Sequence, residues 1–486
     1  MRPTGIVFGL ASTVQLALGA AVFHWPDPML DTLEDSLYVN HFSPVSAFAL
    51  NCAPRDNSTI AAQWLRLAYH DMATHNATTG TGGMDASITY EYTRSQNIGV
   101  GMLESLVDLA ESPNQYVGSW YGFSFVNAVI GCGGGPVIPF RGGRKDATEA
   151  GPATVPEPQQ DLASHIASFK DQGFNETEMI SLVACGHSFE YLSGTTVTEN
   201  VLVVGSNVTT RSDLRIFSSD NNATMQRLAS LDTFNQVCAD LIGRMIDTVP
   251  KDVQLTDPIE PFDFKVKETM LFPQGGSLAF LATMRTIDDG MNRTVKIFWK
   301  ERTGSFCPSE GCSVSSFQVN NVEASFLATL KGVQSFNEHS FNAFIDLATS
   351  ISHFWFEVDN NDGSAPIIVE NHGTNFTIDQ DVLLFDPRRS GFTIAGNFMV
   401  VGVKTSSPAD VAALATVFGP VNCVNIIPMP SNTTISLTLD SSHPPADGYT
   451  FYAARRSNSY SSSTCHATVD GTAYSVWVPT LSAPGV

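Results

Sequence analysis

The chain is short of positive charge. Its 486 residues carry 26 lysines and arginines against 48 acidic residues, a formal net charge of −22. A surface of that sign repels a phosphate backbone, which argues against a nucleic-acid partner. Long apolar runs are also missing after the N-terminal segment, so nothing downstream is suited to span a bilayer. Internal repeats and low-complexity blocks are absent too, which argues against a solenoid or a disordered tail. With 43% apolar and 15% charged residues, the composition is that of a folded protein, and the length asks for more than one core.

What is present begins with an apolar stretch behind Met1-Arg2, ending at the small residues Gly19-Ala20-Ala21. This reads as a signal peptide over residues 1–21 and predicts secretion to the extracellular space. Eight Asn-X-Ser/Thr sites (Asn57, Asn76, Asn175, Asn207, Asn222, Asn292, Asn375 and Asn432) fit a secreted glycoprotein. The eight cysteines fit an oxidising compartment. Cys307 and Cys312 flank a turn and are expected to close a small loop, while Cys185 stays open between a disulfide and a buried thiol.

The pattern changes near residue 255. Before it, apolar residues recur at helical spacing: over 58–74 behind Ser58, over 176–185 behind an Asn175/Glu178 cap, and over 224–249 up to Pro250. After Asp257-Pro258 come strand-like runs at 277–285, 295–300, 353–358, 367–370, 392–403, 435–439, 449–453 and 474–478. A helical interruption is expected over 409–416. Trp299, Trp355 and Trp477 in this half read as packing residues.

Two segments carry chemistry. In Arg66-Leu67-Ala68-Tyr69-His70-Asp71, Arg66 and His70 lie four apart and share a helix face. A guanidinium beside an imidazole keeps the ring neutral, as a general base requires. In Leu182-Val183-Ala184-Cys185-Gly186-His187-Ser188, small residues lead to a histidine and let a flat group approach closely.

Together with Gly82-Gly83-Met84-Asp85-Ala86-Ser87-Ile88, Gln96-Asn97-Ile98-Gly99-Val100 and Ile138-Pro139-Phe140-Arg141-Gly142-Gly143-Arg144-Lys145-Asp146-Ala147, these segments resemble, in order, the plant–fungal–bacterial haem peroxidase superfamily. The likeness spans Trp25 to Pro250 and is nearest to secreted fungal members with an extra C-terminal domain. It implies a mainly α protein: a helical haem peroxidase domain over 22–255, followed by a β-rich, sandwich-like accessory domain over 256–486.

The resemblance also implies roles. His187 would be the axial ligand of haem b iron, with Asp213 accepting its other N–H. His70 would move the proton of hydrogen peroxide, Arg66 would stabilise developing charge, and Asn97 would hold the His70 tautomer, with Tyr69 beside it. Asp71, the Gly83 carbonyl, Asp85 and Ser87 match a distal calcium site, and Ser188 matches the first ligand of a proximal one. The expected partners are hydrogen peroxide and small organic, phenolic donors oxidised by one-electron steps. The expected setting is a monomeric secreted oxidoreductase of the oxidative-stress response, bound to no nucleic acid and no membrane after signal removal.

Two departures carry expectations of their own. Gly118-Ser119-Trp120 has no acid where the family has one, so Arg144 is expected to lack its partner. His187 and Asp213 are 26 residues apart, a shorter separation than in the family, which implies looser haem binding. The alternative is a secreted wall or binding protein that kept the fold and lost haem.

Overall fold

The computed structural model describes residues 25–39, 54–56, 58–110, 126, 135–192, 201–304, 311–393, 396–404, 410–418, 430–456 and 460–478. The expected signal peptide, Cys52, Cys132, Cys307, Cys423, Asn57 and the 118–123 segment lie outside them. Among the described residues no helix is long and apolar enough to cross a membrane.

The helices come first. α1 (Pro28–Tyr38), α2 (Ile60–Met72), α3 (Val100–Ala110), α4 (Leu162–Asp171) and α5 (Glu176–Leu192) precede the short α6 (Val201–Val204), α7 (Ser212–Phe217) and α8 (Ala223–Arg227), and α9 (Leu231–Ile246) follows them. Capping explains several starts. Thr59, one residue after the expected Ser58, is extended, and its Oγ1 accepts from Ala62 N at 3.2 Å. Asn175 and Glu178 cap α5 reciprocally, at 2.9 and 3.0 Å. The single helix expected over 224–249 is two: Ser230, in extended conformation, separates α8 from α9 and leaves Leu231 exposed.

From residue 264 the chain is strands, apart from α10 (Phe326–Leu330). The first sheet runs β1 (Phe264–Gln274), β2 (Ser277–Ile287), β6 (Ser335–Asp346), β5 (Gln318–Glu323), all antiparallel. The second runs β8 (Ile367–Val369), β7 (Ile351–Asp359), β3 (Thr294–Glu301), β4 (Ser313–Ser315), with β9 (Phe376–Thr377) also on β7. The third runs β10 (Leu383–Phe385), β12 (Gly396–Val403), β16 (Thr450–Arg456), β15 (Thr438–Leu439), with β11 (Gly391–Thr393) on β12. The fourth runs β14 (Pro430–Ser436), β13 (Asp410–Phe418), β17 (Tyr460–Val469), β18 (Thr472–Val478).

The third sheet is buried on both faces. Val400 and Phe451 join the core with the first two sheets, while Met399, Val401 and Val403 join another with the fourth. The β half is therefore layered more deeply than the one sandwich expected.

Two expectations are corrected. The protein is not mainly α: about 33% is strand and 28% helix, because the β half contains long strands that the sequence pattern concealed. Residues 410–418 are a strand rather than a helix. Val411 and Ala413 alternate into the core, and neighbours pair on both sides; the alanine-rich composition had suggested a helix.

The halves share a core. Ala324, Leu327, Ala328 and Phe336 pack in one cluster with Leu33, Leu37, Ile138 and Ile259. α1 is also tied to the first sheet by charge. Glu34, fully buried, pairs with Lys265 at 2.8 Å and with Arg285, and Arg285 also reaches Asp35 at 2.9 Å.

Candidate active site

α2 is buried almost all round, with Trp64, Leu67 and Ala68 in the core. Arg66 and Tyr69 are partly exposed. The Arg66 guanidinium donates through Nη2 to the Ile98 carbonyl at 3.0 Å. Gly99 follows with φ +123°, and a Cβ there would come within 3.3 Å of Arg66 Nη1, so glycine lets the loop pass close to the cation.

His70, one turn on, is 9% exposed. Its Nδ1 lies 2.7 Å from Asn97 Oδ1. The amide orientation is set from behind, because Asn97 Nδ2 donates to the Glu91 carbonyl at 3.0 Å. Oδ1 must therefore accept, Nδ1 must carry the proton, and the ring's basic atom is Nε2. Burial, and then the Arg66 charge, push the imidazole down to about 3. The ring is neutral throughout mildly acidic and neutral pH.

Tyr69 stands edge-on to His70 at 6.1 Å and stacks on Phe169 at 5.8 Å, with its hydroxyl donating to Gln172 Oε1 at 3.4 Å. Burial pushes its phenol well up.

Asp71 pins the next loop. Its carboxylate accepts from Ala86 N at 2.9 Å and Ile88 N at 3.1 Å. Gly83, at φ +123°, lets that loop turn against Thr248, where a Cβ would meet the carbonyl oxygen at 2.5 Å. Burial, and then Asp85, hold the Asp71 carboxyl well above the usual range, and burial also raises Asp85. Ser87 is buried with its hydroxyl beside the Asp85 and Glu91 carboxyls, which burial raises and its hydrogen bonds lower in part. Two buried carboxyls and a buried hydroxyl are oxygen donors that suit a hard divalent cation. Among the described residues no group of three or more His, Cys, Asp or Glu is arranged for a metal.

On the other side, α5 packs against α2. His187 Nδ1 lies 2.5 Å from Asp213 Oδ2, and Asp213 is buried at the start of α7. Ser212 Oγ donates to Asp213 Oδ1 at 3.2 Å, so both carboxylate oxygens are engaged and the imidazole orientation is held. The ring nitrogen turned away from Asp213 is then Nε2. Among the described residues a Cβ built on Gly186 would meet nothing within 4 Å. Ser188 continues the helix, but its side chain lies outside the described residues, as does the 193–200 segment. Cys185 is no free thiol: it is disulfide-bonded to Cys238 and joins α5 to α9.

Comparison with known proteins bears on this arrangement. The family model for peroxidase matches residues 47–239. The chain carries a domain of the plant–fungal–bacterial peroxidase superfamily. It is 30% identical over 397 residues to a WSC domain-containing protein of Arthroderma benhamiae, covering 71% of this chain and 54% of that protein. It is 34% identical over 143 residues to L-ascorbate peroxidase 5, peroxisomal, of Arabidopsis thaliana, covering 28% of this chain and 47% of that one. Manganese peroxidase 2 of Phlebia radiata is 32% identical over 135 residues, 26% of this chain and 35% of its own. The chain thus spans about half the length of the first of these relatives, and less of the others.

Within the peroxidase domain one expectation is corrected. Arg144 does have an acidic partner: Asp247, at 3.3 Å, while its guanidinium also donates to the Ile246 carbonyl at 2.5 Å and lies over the Phe140 ring at 5.0 Å. Asp247 lies beyond the matched segment and pairs with Arg141 as well, at 3.1 Å. Sequence reasoning also missed Ser212 and the carbonyls of Glu91 and Ile98. Carbonyl roles leave no side-chain signal, whereas Ser212, adjacent to Asp213, could have been suspected.

Proposed function

We propose that the chain is a secreted haem peroxidase that reduces hydrogen peroxide and oxidises small organic, phenolic donors in one-electron steps. The observation carrying this reading is the pair of histidines, His70 and His187, each with Nδ1 held by an acceptor of the chain and Nε2 left as the working nitrogen.

His187 would hold the haem iron, and Asp213, accepting from Nδ1, would make the ligand more basic. When bound, haem would supply the two electrons that cleavage of the peroxide O–O bond consumes. The remaining chemistry falls to the chain. His70, neutral and with its lone pair on Nε2, takes a proton from hydrogen peroxide and returns it to the departing oxygen. Arg66, one helical turn before His70, would stabilise negative charge on that oxygen. Asn97 keeps the His70 ring from turning. Asp71, Asp85, Ser87 and the Gly83 carbonyl would hold calcium, which binds the loop after α2 to the helix that carries Arg66 and His70. The N-terminal apolar segment and the Asn-X-Ser/Thr sites support secretion.

The test is the absorption spectrum of the purified chain after haem supplementation. A Soret band that the His187→Ala variant lacks is the expected result. No band in the unaltered chain would replace this reading with a wall or binding protein built on a haem-free peroxidase fold.

A further inference from the structure

The joint between the halves holds more acids than cations, a feature that peroxidase chemistry does not use. Asp27, just before α1, and Asp31, Glu34 and Asp35 on it recur at helical spacing along one side, and α1 has no basic residue. The first sheet meets that side with Lys265 on β1 and Arg285 on β2, which stand directly opposite each other and are both buried.

Glu34 and Asp35 take up these two cations. An ammonium has three N–H groups, and Lys265 Nζ has three close oxygens: the Asp31 carbonyl at 2.7 Å, Glu34 Oε2 at 2.8 Å and Asp35 Oδ1 at 3.1 Å. The Arg285 guanidinium reaches Glu34 and, at 2.9 Å, Asp35. The Asp31 carboxyl is left over. Its Oδ2 accepts from Asp27 N at 3.2 Å, while its Oδ1 is buried without a hydrogen-bond partner, 3.9 Å from Lys265 Nζ. The neighbouring charges do not make up the difference. Lys267 on β1 pairs with Glu338 of β6 at 2.6 Å, and Asp27 is a further acid whose Oδ1 accepts from Leu30 N at 3.0 Å. An unpartnered buried carboxylate is costly, whereas a protonated carboxyl is neutral.

We propose that the joint closes around one proton on Asp31, so that the helical and β halves are held most firmly in acidic surroundings and loosen as the medium turns alkaline. Burial, against Lys265, raises this carboxyl from 3.8 to about 7. The folded chain then keeps a proton that the unfolded chain releases. The stabilisation is full below the ordinary carboxylate range and is lost as pH rises through about 7. The effect falls on the joint itself, because an ionised Asp31 competes with Glu34 and Asp35 for Lys265, the cation that fastens α1 to β1. The device needs neither haem nor peroxide.

The test is denaturant unfolding of the full chain at pH 5 and pH 8, beside Asp31→Asn and Asp31→Ala. Between these values the unfolding constant of the parent should rise about 10- to 100-fold more than that of either variant. His70, Asp71 and Asp85 are common to all three chains, so their own pH dependence cancels in the comparison. Asp27→Asn, which keeps a capping side chain and leaves Asp31 in place, should behave as the parent does. Hydrogen exchange in peptides from α1 and β1, corrected for the intrinsic rate at each pH, should show protection lost at pH 8 in the parent and kept in Asp31→Asn. Equal pH dependence in the parent and both Asp31 variants would overturn the proposal. So would an Asp27→Asn chain as insensitive to pH as the Asp31 variants, or α1 protection that changes equally in parent and Asp31→Asn.

Discussion

Two clusters of buried acids lie in this molecule, and they are solved differently. Where α1 meets the first sheet, Glu34 and Asp35 face Lys265 and Arg285, and Arg285 lies over the Phe336 ring at 4.2 Å. Lys265, then Lys267 and Arg285, hold the Asp35 carboxyl below its usual range against its burial. Beside α2, Asp71 and Asp85 form no ion pair among the described residues, and burial raises both. The chain supplies its own cations where two halves must be fastened. Beside Asp71 and Asp85 the chain places oxygen donors, while its Arg94 pairs with the neighbouring Glu91 at 3.0 Å. A buried charge without a partner is costly, so the second cluster asks for a proton or a cation from outside, whereas the first holds its own cations, though burial still raises Asp31 beside Lys265 to about 7.

The largest effect is expected at the first cluster. Arg285→Ala leaves Glu34 buried with one cation fewer and should cost about 3–5 kcal/mol. Denaturant unfolding measures it, and a loss below about 1 kcal/mol would show that the junction does not hold the halves together.

Arg66→Leu comes next, with a loss of about 3–4 kcal/mol of transition-state stabilisation for peroxide cleavage. Removing that charge removes one cause of the depressed His70 value, so the acidic limb of the pH–rate profile should move to higher pH. Stopped-flow rates matching the parent at every pH would take Arg66 out of the mechanism.

Chelation sharpens the comparison directly. If calcium fills the second cluster, EDTA should lower stability by about 2.7 kcal/mol relative to calcium at a hundred times its Kd. Asp85→Asn should make the melting temperature insensitive to EDTA. The sign with pH follows from the raised carboxyls. In calcium-free protein the folded state holds more protons than the unfolded state above the ordinary carboxylate range, so stability falls as pH rises through it. Calcium displaces those protons, so its stabilisation should be larger at neutral than at acidic pH. A calcium effect of the same size at both would assign the cation elsewhere. His70 pulls the other way: below about 6.5 the unfolded chain takes up its proton and the folded chain does not until about 3, so acid weakens the fold through it.

The smallest effect is expected outside both clusters. Lys331→Ala removes a pair with the exposed Glu260 and should cost under about 1 kcal/mol. A larger loss would mean that exposed pairs also bind the halves.

The sequence by itself determined the local features and the order of the chemistry. Arg66 and His70 on one face, the Asn175–Glu178 cap and the change of pattern near residue 255 all depend on neighbours within a turn or a few residues. Helical spacing and strand alternation report such neighbours without reference to the rest of the chain. Tertiary structure decided whatever depends on partners distant in sequence. Asp247 became the partner of Arg144, Cys185 found Cys238, and α10 from the β half entered the helical core. Residues 410–418 became a strand because β14 and β17 pair on either side of it. Glu34 is buried only because Lys265 and Arg285 arrive from more than two hundred residues away. No local pattern encodes such contacts, since their energy comes from desolvating groups that meet only when the whole chain has folded.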